Sequence, residues 1–496
     1  MLTREAGFYT AGYTGDDPYR APFYLRSLIF DGPEGDLNAG LIDEFNDLLL
    51  KEEAFSGRKL AGGGIYGPLP GLIAIINASH DNLPTSYETA RVFNEFLAEK
   101  KINIPIEVVN TREELMRAVS NAPSGVMVIS QCVDKNVYNV DVADELEKKG
   151  VVVVPGKITA PGGVLSDKDS TYRLLSDDGT KWDSVARYKK VSDKIGNARD
   201  IGRDIIEVVD ELANITGDNV FFVKPHEGGG GLGGFRISKK DGGYIIPDLS
   251  KVTGDDKGVH PTLINVDTGD TAKLRELLWI YRLFSSEDKM RVNYILKKLP
   301  LEGLNDIDAA GIMRAYLDGC KEKREEKLGK MVLDRAGAGE KIKEAIEIFE
   351  RKFKRKYVAL VNEHLDFGMW GLRAHYRLSK KGPKLEAMYS RIFQLAFTEE
   401  GVGYLGSDNI SNKQTGELEV LRLGSINEIM LEAIGGRKAL FKTLTEGAEA
   451  LVSLAELVPP GSRGHIPLRA QFDLAVLSQR IGEGNADTAR GLCLAS

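Results

Sequence analysis

The chain has 496 residues, 42% of them hydrophobic and 28% charged, a composition that folds and excludes a disordered polymer. At about 150 residues per domain, the length implies roughly three domains. Lys and Arg number 66 against 73 Asp and Glu, a net charge of −7 that gives no electrostatic basis for binding nucleic acid and argues against an anionic membrane surface.

Residues 1–70 mix aromatics (Phe8, Tyr9, Tyr13, Tyr19, Phe23, Tyr24) with turn formers and carry helical spacing near 41–51. They end in a loop-forming stretch at 61–70 and read as an N-terminal extension. From 71 the pattern becomes regular. Apolar runs of strand length at 71–77, 106–109, 125–130 and 151–154 alternate with helical spacing over 84–100, 111–119 and 142–149. Unbroken apolar runs mean strands covered on both faces, so 71–160 is expected to be a small α/β domain with a parallel sheet. Substrates dock at the strand ends of such sheets. His80, Asp81, Asn82, Thr85 and Ser86 follow the first strand, where they read as helix caps before catalysts.

After residue 157 the texture changes. Helical spacing at 166–176 and 202–213 precedes a strand at 220–223, a glycine run, and a second strand at 235–238. Residues 272–356 are mostly helical, with Ile342, Ile346, Phe349 and Phe353 on one apolar stripe. In the basic run 351–356, Phe353 continues that stripe and the cations form a solvated face, so no nucleic-acid site is inferred. Strand patterns return at 358–361, 371–378, 391–397 and 418–423, and 428–457 is helical up to Pro459-Pro460. The three cysteines (Cys132, Cys320, Cys493) are too dispersed for a metal set or a disulfide framework. The opening residues lack the apolar core of a secretory signal, and no apolar run approaches the ~18–20 residues that span a bilayer. A cytoplasmic protein with no membrane partner is expected.

Glycine is the compositional outlier, at 54 residues, roughly 11% against a typical ~7%. The densest cluster lies in Asn219-Val220-Phe221-Phe222-Val223-Lys224-Pro225-His226-Glu227, followed by Gly228, Gly229, Gly230, Gly231, Leu232, Gly233 and Gly234, then Phe235-Arg236-Ile237. Such a run lets backbone N–H groups turn toward a phosphate chain without Cβ clashes. A Walker loop would need Gly-Lys-[Ser/Thr] opening a helix, and that triplet is absent. A dinucleotide fingerprint is formally present at Gly229, Gly231 and Gly234, but a β-like segment follows where a helix is required. The remaining arrangement is a hairpin with a flexible glycine flap, in which Lys224 neutralises nucleotide phosphates.

These residues resemble the ATP-grasp superfamily, in particular members arranged like biotin carboxylase. The resemblance covers roughly 71–237 and 357–430. It implies ATP and Mg²⁺, with Lys168, in Leu165-Ser166-Asp167-Lys168-Asp169, as a second phosphate-binding lysine beside Lys224. The flap would contribute Gly228, Gly229, Gly230, Gly231 and Gly233. Tyr357-Val358-Ala359-Leu360-Val361-Asn362-Glu363-His364 resembles the interdomain hinge, where backbone groups bind adenine and Glu363 matches the ribose acid. Arg373 matches a basic position facing the phosphates or an acyl phosphate, and Arg391 is a further anion-binding candidate. The family closes its metal set with an acid and Glu-x-Asn. Here the last strand gives Ser425-Ile426-Asn427, so Asn427 is retained, serine stands for glutamate, and Asp408 is the candidate first acid.

The implied fold is α/β. An N-terminal parallel-sheet pre-ATP-grasp domain (71–160) is followed by a first lobe with the flap (161–240), a long helical insertion (241–356), and a second lobe with a helical C-terminal region (357–496). The insertion reads as a lid, a substrate-selecting element or a surface for homo-oligomers. The implied activity is ATP-dependent ligation of a small-molecule carboxylate to an amine or similar nucleophile through an acyl phosphate. A phosphotransferase and a non-catalytic nucleotide sensor or scaffold are the alternatives.

Overall fold

The computed structural model describes residues 38–51, 70–77, 85–99, 101–122, 125–130, 136–154, 157, 160–163, 188–191, 201–226, 233–254, 262–263, 268–285, 299–301, 303–354, 356–363, 367–379, 382–393, 395–404, 421–457, 469–477 and 492–495. The expected helix at 166–176 and the polar stretch from His80 to Asn82 lie outside them.

The N-terminal domain is built as its apolar runs dictate. Strands β1 (Leu72–Ile76), β2 (Ile106–Val109), β3 (Val126–Ser130) and β4 (Val152–Val154) form a parallel sheet in the order β2-β1-β3-β4. Helix α2 (Thr85–Glu99) covers one face, burying Ala90, Phe93 and Leu97 against Ile73, Ile75, Met127 and Ile129. Helices α3 (Arg112–Asn121) and α4 (Val140–Lys148) cover the other, burying Leu115, Val142 and Leu146 against Ala74, Ile76 and Val128. Adjacent β1 residues therefore enter different cores, which is why the run shows no alternation. Thr111 and Asn139 cap α3 and α4, each side chain accepting a backbone N–H.

The first lobe is a five-stranded antiparallel sheet ordered β5-β10-β6-β7-β8, from β5 (Tyr188–Lys190), β6 (Val220–Pro225), β7 (Phe235–Lys240), β8 (Gly243–Ile245) and β10 (Ala359–Glu363). Helices α5 (Ile201–Thr216) and α9 (Arg335–Phe353) cover one face. They cross where Gly202 meets Gly339; a Cβ on Gly202 would lie 1.8 Å from the Gly339 carbonyl oxygen. The apolar stripe of α9 packs as expected, but on this core: Ile342, Ile346 and Phe349 meet Phe221, Val223, Phe235 and Ile237.

The second lobe is another five-stranded antiparallel sheet, ordered β15-β12-β11-β16-β17, from β11 (Phe367–Ser379), β12 (Gly382–Phe393), β15 (Leu421–Gly424), β16 (Arg469–Leu477) and β17 (Leu492–Ala495). Helices α10 (Glu428–Ala433) and α11 (Arg437–Leu457) contribute Met430, Leu440, Leu444 and Leu451 to its core. Two helices appear where one was expected because Gly435 and Gly436, both at φ 88°, end the first. The C-terminal region is not helical throughout, since β16 and β17 return to the sheet.

The segment 241–356 is not one body. Strand β8 and α9 belong to the first-lobe core, along with the short helix α6 (Ser250–Thr253) that packs on α9. Helices α7 (Thr271–Ser285) and α8 (Asp306–Gly329) instead bury Leu274, Leu277, Ile280 and Met313 in the second-lobe core. Strand β9 (Thr262–Leu263) pairs with β14 (Gly401–Tyr404), which pairs in turn with β13 (Leu395–Thr398). Helix α1 (Ala39–Leu49) also joins this lobe through Phe45 and Leu49. Among the described residues, no helix is long and apolar enough to cross a membrane.

Candidate functional site

The glycine run connects two antiparallel strands, as the sequence implies: Val220 pairs with Ser238 and Val223 with Phe235. A helix does not follow it, which removes the dinucleotide fingerprint. Residues 227–232, with Gly228, Gly229, Gly230 and Gly231, lie outside the description, but both ends of the connection are held. His226 N–H donates to the Val358 carbonyl at 2.9 Å. On the return side, the Gly233 carbonyl accepts the Tyr357 hydroxyl at 2.5 Å. Gly233 sits at φ 79°, and a Cβ there would meet Phe349 at 2.9 Å and Pro225 and Tyr357 at 3.2 Å. Glycine is required by backbone conformation and by space alike. Burial pushes the Tyr357 phenol pKa up, so it remains a neutral donor.

Antiparallel partners directly opposite each other share a sheet face. Phe221 and Ile237, Val223 and Phe235, and Val361 face the two helices. The alternate rows define the other face. One row carries Lys190, Leu360 and Lys224; the next carries Asn362, Phe222 and Arg236. Three cations thus come from three strands of one sheet face, and Lys190, Lys224 and Arg236 are all half-buried. Burial depresses the Lys224 pKa to about 8, because a partly desolvated ammonium is disfavoured.

The sequence reading singled out Lys224 but missed Lys190, Arg236 and Asn362. Nothing in local composition marks them; only register unites them. Glu363 falls in the row opposite Phe221, alternate to the Lys224 row, and its side chain is outside the description. Lys168 and Asp408 also lie outside the described residues.

The chain passes from β10 to β11 through residues 364–366. On β11, Leu372, Ala374 and Tyr376 enter the second-lobe core, and the Tyr376 hydroxyl donates to the Leu444 carbonyl at 2.9 Å. Arg373 and His375 occupy the alternate, half-buried positions. Arg373 stands opposite Tyr389 on β12 and opposite Asp473 in register on β16. His375 Nε2 and the Tyr389 hydroxyl share a hydrogen bond at 3.2 Å. Arg391 pairs opposite Gly371, so its position shares parity with Arg373, although its side chain is not described.

The expected metal position is less complete. Asn427 is the N-cap of α10, its Oδ1 accepting Met430 N–H at 3.0 Å, and Ser425 is exposed. An amide oxygen used this way keeps a second lone pair. Among the described residues, no group of three Asp, Glu, His or Cys side chains gathers to hold a metal ion.

No family model and no curated protein matches the chain. Solved structures similar to it include the D-alanine–D-alanine ligase from Bacillus anthracis complexed with ATP, at 10% identity over 86% of this chain and 85% of that one, with a TM-score of 0.38. Another is N5-carboxyaminoimidazole synthase from Aspergillus clavatus in complex with ADP and aminoimidazole ribonucleotide, at 9% identity over 86% and 69%, with a TM-score of 0.40. A third is D-cycloserine synthetase DcsG, at 10% identity over 86% and 90%, with a TM-score of 0.39.

Proposed function

We propose that the chain is an ATP-dependent carboxylate–amine ligase of the ATP-grasp type. The observation that supports this most is the first-lobe face, where Lys190, Lys224 and Arg236 share one side of the sheet beside a glycine connection held at both ends. A cation set on one face, beside backbone N–H groups free of Cβ atoms, suits a polyanion such as a triphosphate.

In this reading, a carboxylate oxygen of the acid attacks the γ-phosphorus of ATP, forming an acyl phosphate as ADP leaves. The amine then attacks the acyl carbon and phosphate departs with the bonding pair. Lys168 and Lys224 hold the phosphates, the 228–234 flap excludes water, and Arg373 and Arg391 stabilise developing charge. Glu363, the acid the resemblance gives to the nucleotide, stands opposite Phe221 in the helix-packed row and is not placed on the Lys224 face. No side-chain base is needed if the amine arrives neutral. Mg²⁺, when bound, would neutralise charge between phosphates; Asp408 and Asn427 are its proposed ligands. A cytoplasmic location belongs to the same proposal.

Two observations favour a second reading. Ser425 stands where the resemblance calls for a metal-binding glutamate, and Asn427 is engaged as a helix cap. Both suit a nucleotide sensor that no longer turns over. The test is metal-dependent ADP release with a mixed pool of carboxylates and amines. Release that requires both pools supports the ligase, and release with acids alone supports a phosphotransferase. Tight ATP binding with no release in any pool supports the sensor, and absence of ATP binding defeats all three.

A further inference from the structure

We infer that helix α8 is a strut between the two lobes, and that its seat on β8, opened by Gly243, is a second joint that sets the angle at which the lobes meet. The strut belongs to the fold and holds whichever activity the chain has.

The chain changes lobes through residues 364–366, between β10 and β11, and also between α8 and α9. Helix α8 has 24 residues, about 36 Å at ~1.5 Å per residue. Its first half is anchored in the second lobe, where Ala309 and Met313 are fully buried in the core. The Tyr316 hydroxyl donates to the Thr398 carbonyl at 2.5 Å and to the Gly401 carbonyl at 2.9 Å, where β13 turns into β14. Lys327, near the end of the helix, pairs with Glu400 in the same turn at 2.5 Å.

The far end of α8 meets the first lobe. Met331 N–H still donates to the Leu328 carbonyl at 3.0 Å, so the helix runs into its seat without slack. Leu333 then exchanges both backbone hydrogen bonds with Tyr244 of β8, each at 2.8 Å. A Cβ on Gly243 would lie 2.5 Å from Val332 Cγ1 and 2.6 Å from the Leu333 carbonyl oxygen, so this approach of two backbones needs glycine. One carboxylate, Asp210 on α5, holds the place of re-entry. It binds Lys239 of β7, the Tyr244 hydroxyl and Arg335 at the start of α9, each at 2.7 Å. Glu325 of α8 also pairs with Lys240 at the end of β7, a contact that is weak by itself because it faces water.

Register says where the two joints lie. Tyr244 stands opposite Lys239, whose N–H donates to the Asn219 carbonyl just before β6 begins. Strand β10 ends at Glu363, opposite Phe221 and again near the start of β6. Both joints therefore sit at one end of the first-lobe sheet, with the glycine connection at the other. From β10 to β8 is three strand spacings, about 14 Å at ~4.8 Å each. A single joint would let one lobe twist on the other. Two joints this far apart forbid the twist and leave only rotation about the line through them. The division of 241–356 between two cores thereby acquires a purpose, since a strut must grip both bodies it holds apart.

The test places nitroxides, carried on genetically encoded amino acids, at exposed Glu207 on α5 and exposed Lys438 on α11, and measures their distance distribution in the full chain by pulsed electron paramagnetic resonance. Insertion of a flexible Gly-Ser repeat after Lys330 keeps the helix and the Leu333 seat and removes only the stiffness between them. It is expected to widen the distribution by about twofold or more, with Leu333 N–H still protected from hydrogen exchange. Gly243→Ala crowds the seat itself, and is expected to widen the distribution and to speed exchange at Leu333 N–H by about tenfold or more. A width unchanged by the insertion overturns the inference, because the lobes would then be held by something other than α8. Faster exchange at Leu333 in Gly243→Ala without widening overturns it too, reducing the seat to local packing. Should Gly243→Ala fail to fold, the insertion decides alone.

Discussion

The two lobes are each a five-stranded antiparallel sheet with helices against one face, yet they differ in what the other face carries. The first-lobe face gathers Lys190, Lys224 and Arg236 from three strands. On the second-lobe sheet, Arg373 stands between Tyr389 and Asp473 in register, with His375 bonded to Tyr389. Cations from three strands of one face suit a long polyanion, whereas Arg373 and Arg391, at positions of one parity on neighbouring strands, suit a smaller anionic group. On the proposed ligase reading, binding falls to the first lobe and the chemical step to both.

That division breaks most readily at Lys224. Lys224→Ala is expected to weaken ATP binding by on the order of a hundredfold, since a charge-assisted contact near apolar surroundings is lost. Arg373→Ala is expected to leave ATP affinity within about threefold and to lower turnover by about a hundredfold, the usual cost of removing one group that meets developing charge. Calorimetry and ADP release measured on both variants separate the lobes. Equal loss of binding in the two would abolish the distinction.

The helix-packed side of the first lobe can be broken without touching its cations. Gly202→Ala puts a Cβ 1.8 Å from the Gly339 carbonyl, a backbone atom that yields only if α5 and α9 separate. We expect a loss of about 3 kcal/mol or more in denaturant titration. A loss confined to under about 1 kcal/mol would mean that the helices slide freely and do not hold the sheet.

The pH dependence sharpens the assignment of Lys224. Its pKa falls from 10.5 in the unfolded chain to about 8 in the folded one. Between these values the unfolded state binds more protons, so this residue makes stability rise with pH across about 8 to 10.5. A bound triphosphate favours the charged lysine and draws its pKa back up, so binding takes up a proton above about pH 8. ATP affinity should then decline by up to about tenfold per pH unit above that point, and Lys224→Arg should abolish the decline. Calorimetry in buffers of different ionisation enthalpy counts the proton directly.

Legibility in the sequence followed the distance over which each feature is decided. The N-terminal sheet was readable because each buried run, such as 71–77 or 125–130, announces itself within a few residues. The glycine hairpin was readable for the same reason, and Lys224 with it. The second lobe was harder to read. Strand β12 begins Gly-Pro-Lys and carries charge along its length, so only its final residues look strand-like. Strands β16 and β17 join a sheet whose other members lie far earlier in the chain. Lys190, Arg236 and Asn362 share a face only through the pairing of β5, β6, β7 and β10, which no local pattern encodes. The helical spacing of 272–356 was correct, but spacing cannot say which core an apolar stripe enters; α9 went to one lobe and α7 and α8 to the other.

The smallest expected effect probes the contact least visible in the sequence. Asn46 lies on α1, yet its side chain behaves as a piece of β-strand: Nδ2 donates to the Leu385 carbonyl and Oδ1 accepts Leu385 N–H, both at 2.9 Å. The ladder between β12 and β15 spans only Ser390–Phe393, so Leu385 lies beyond it. Asn38 makes a second such bridge, donating to the Met388 carbonyl at 2.8 Å and accepting Ile426 N–H at 2.7 Å. Two carboxamides thus satisfy backbone groups that a neighbouring strand would otherwise pair, and they fix α1 so that Phe45 and Leu49 reach the second-lobe core. Asn46→Ala removes two neutral hydrogen bonds at a part-buried site and should cost about 1–2 kcal/mol. Hydrogen exchange should report the loss at Leu385 N–H and leave the amides of β6 and β7 protected. Deprotection spreading into the first lobe would show that the two sheets unfold as one unit, and the division of labour between them would then lack a separable physical basis.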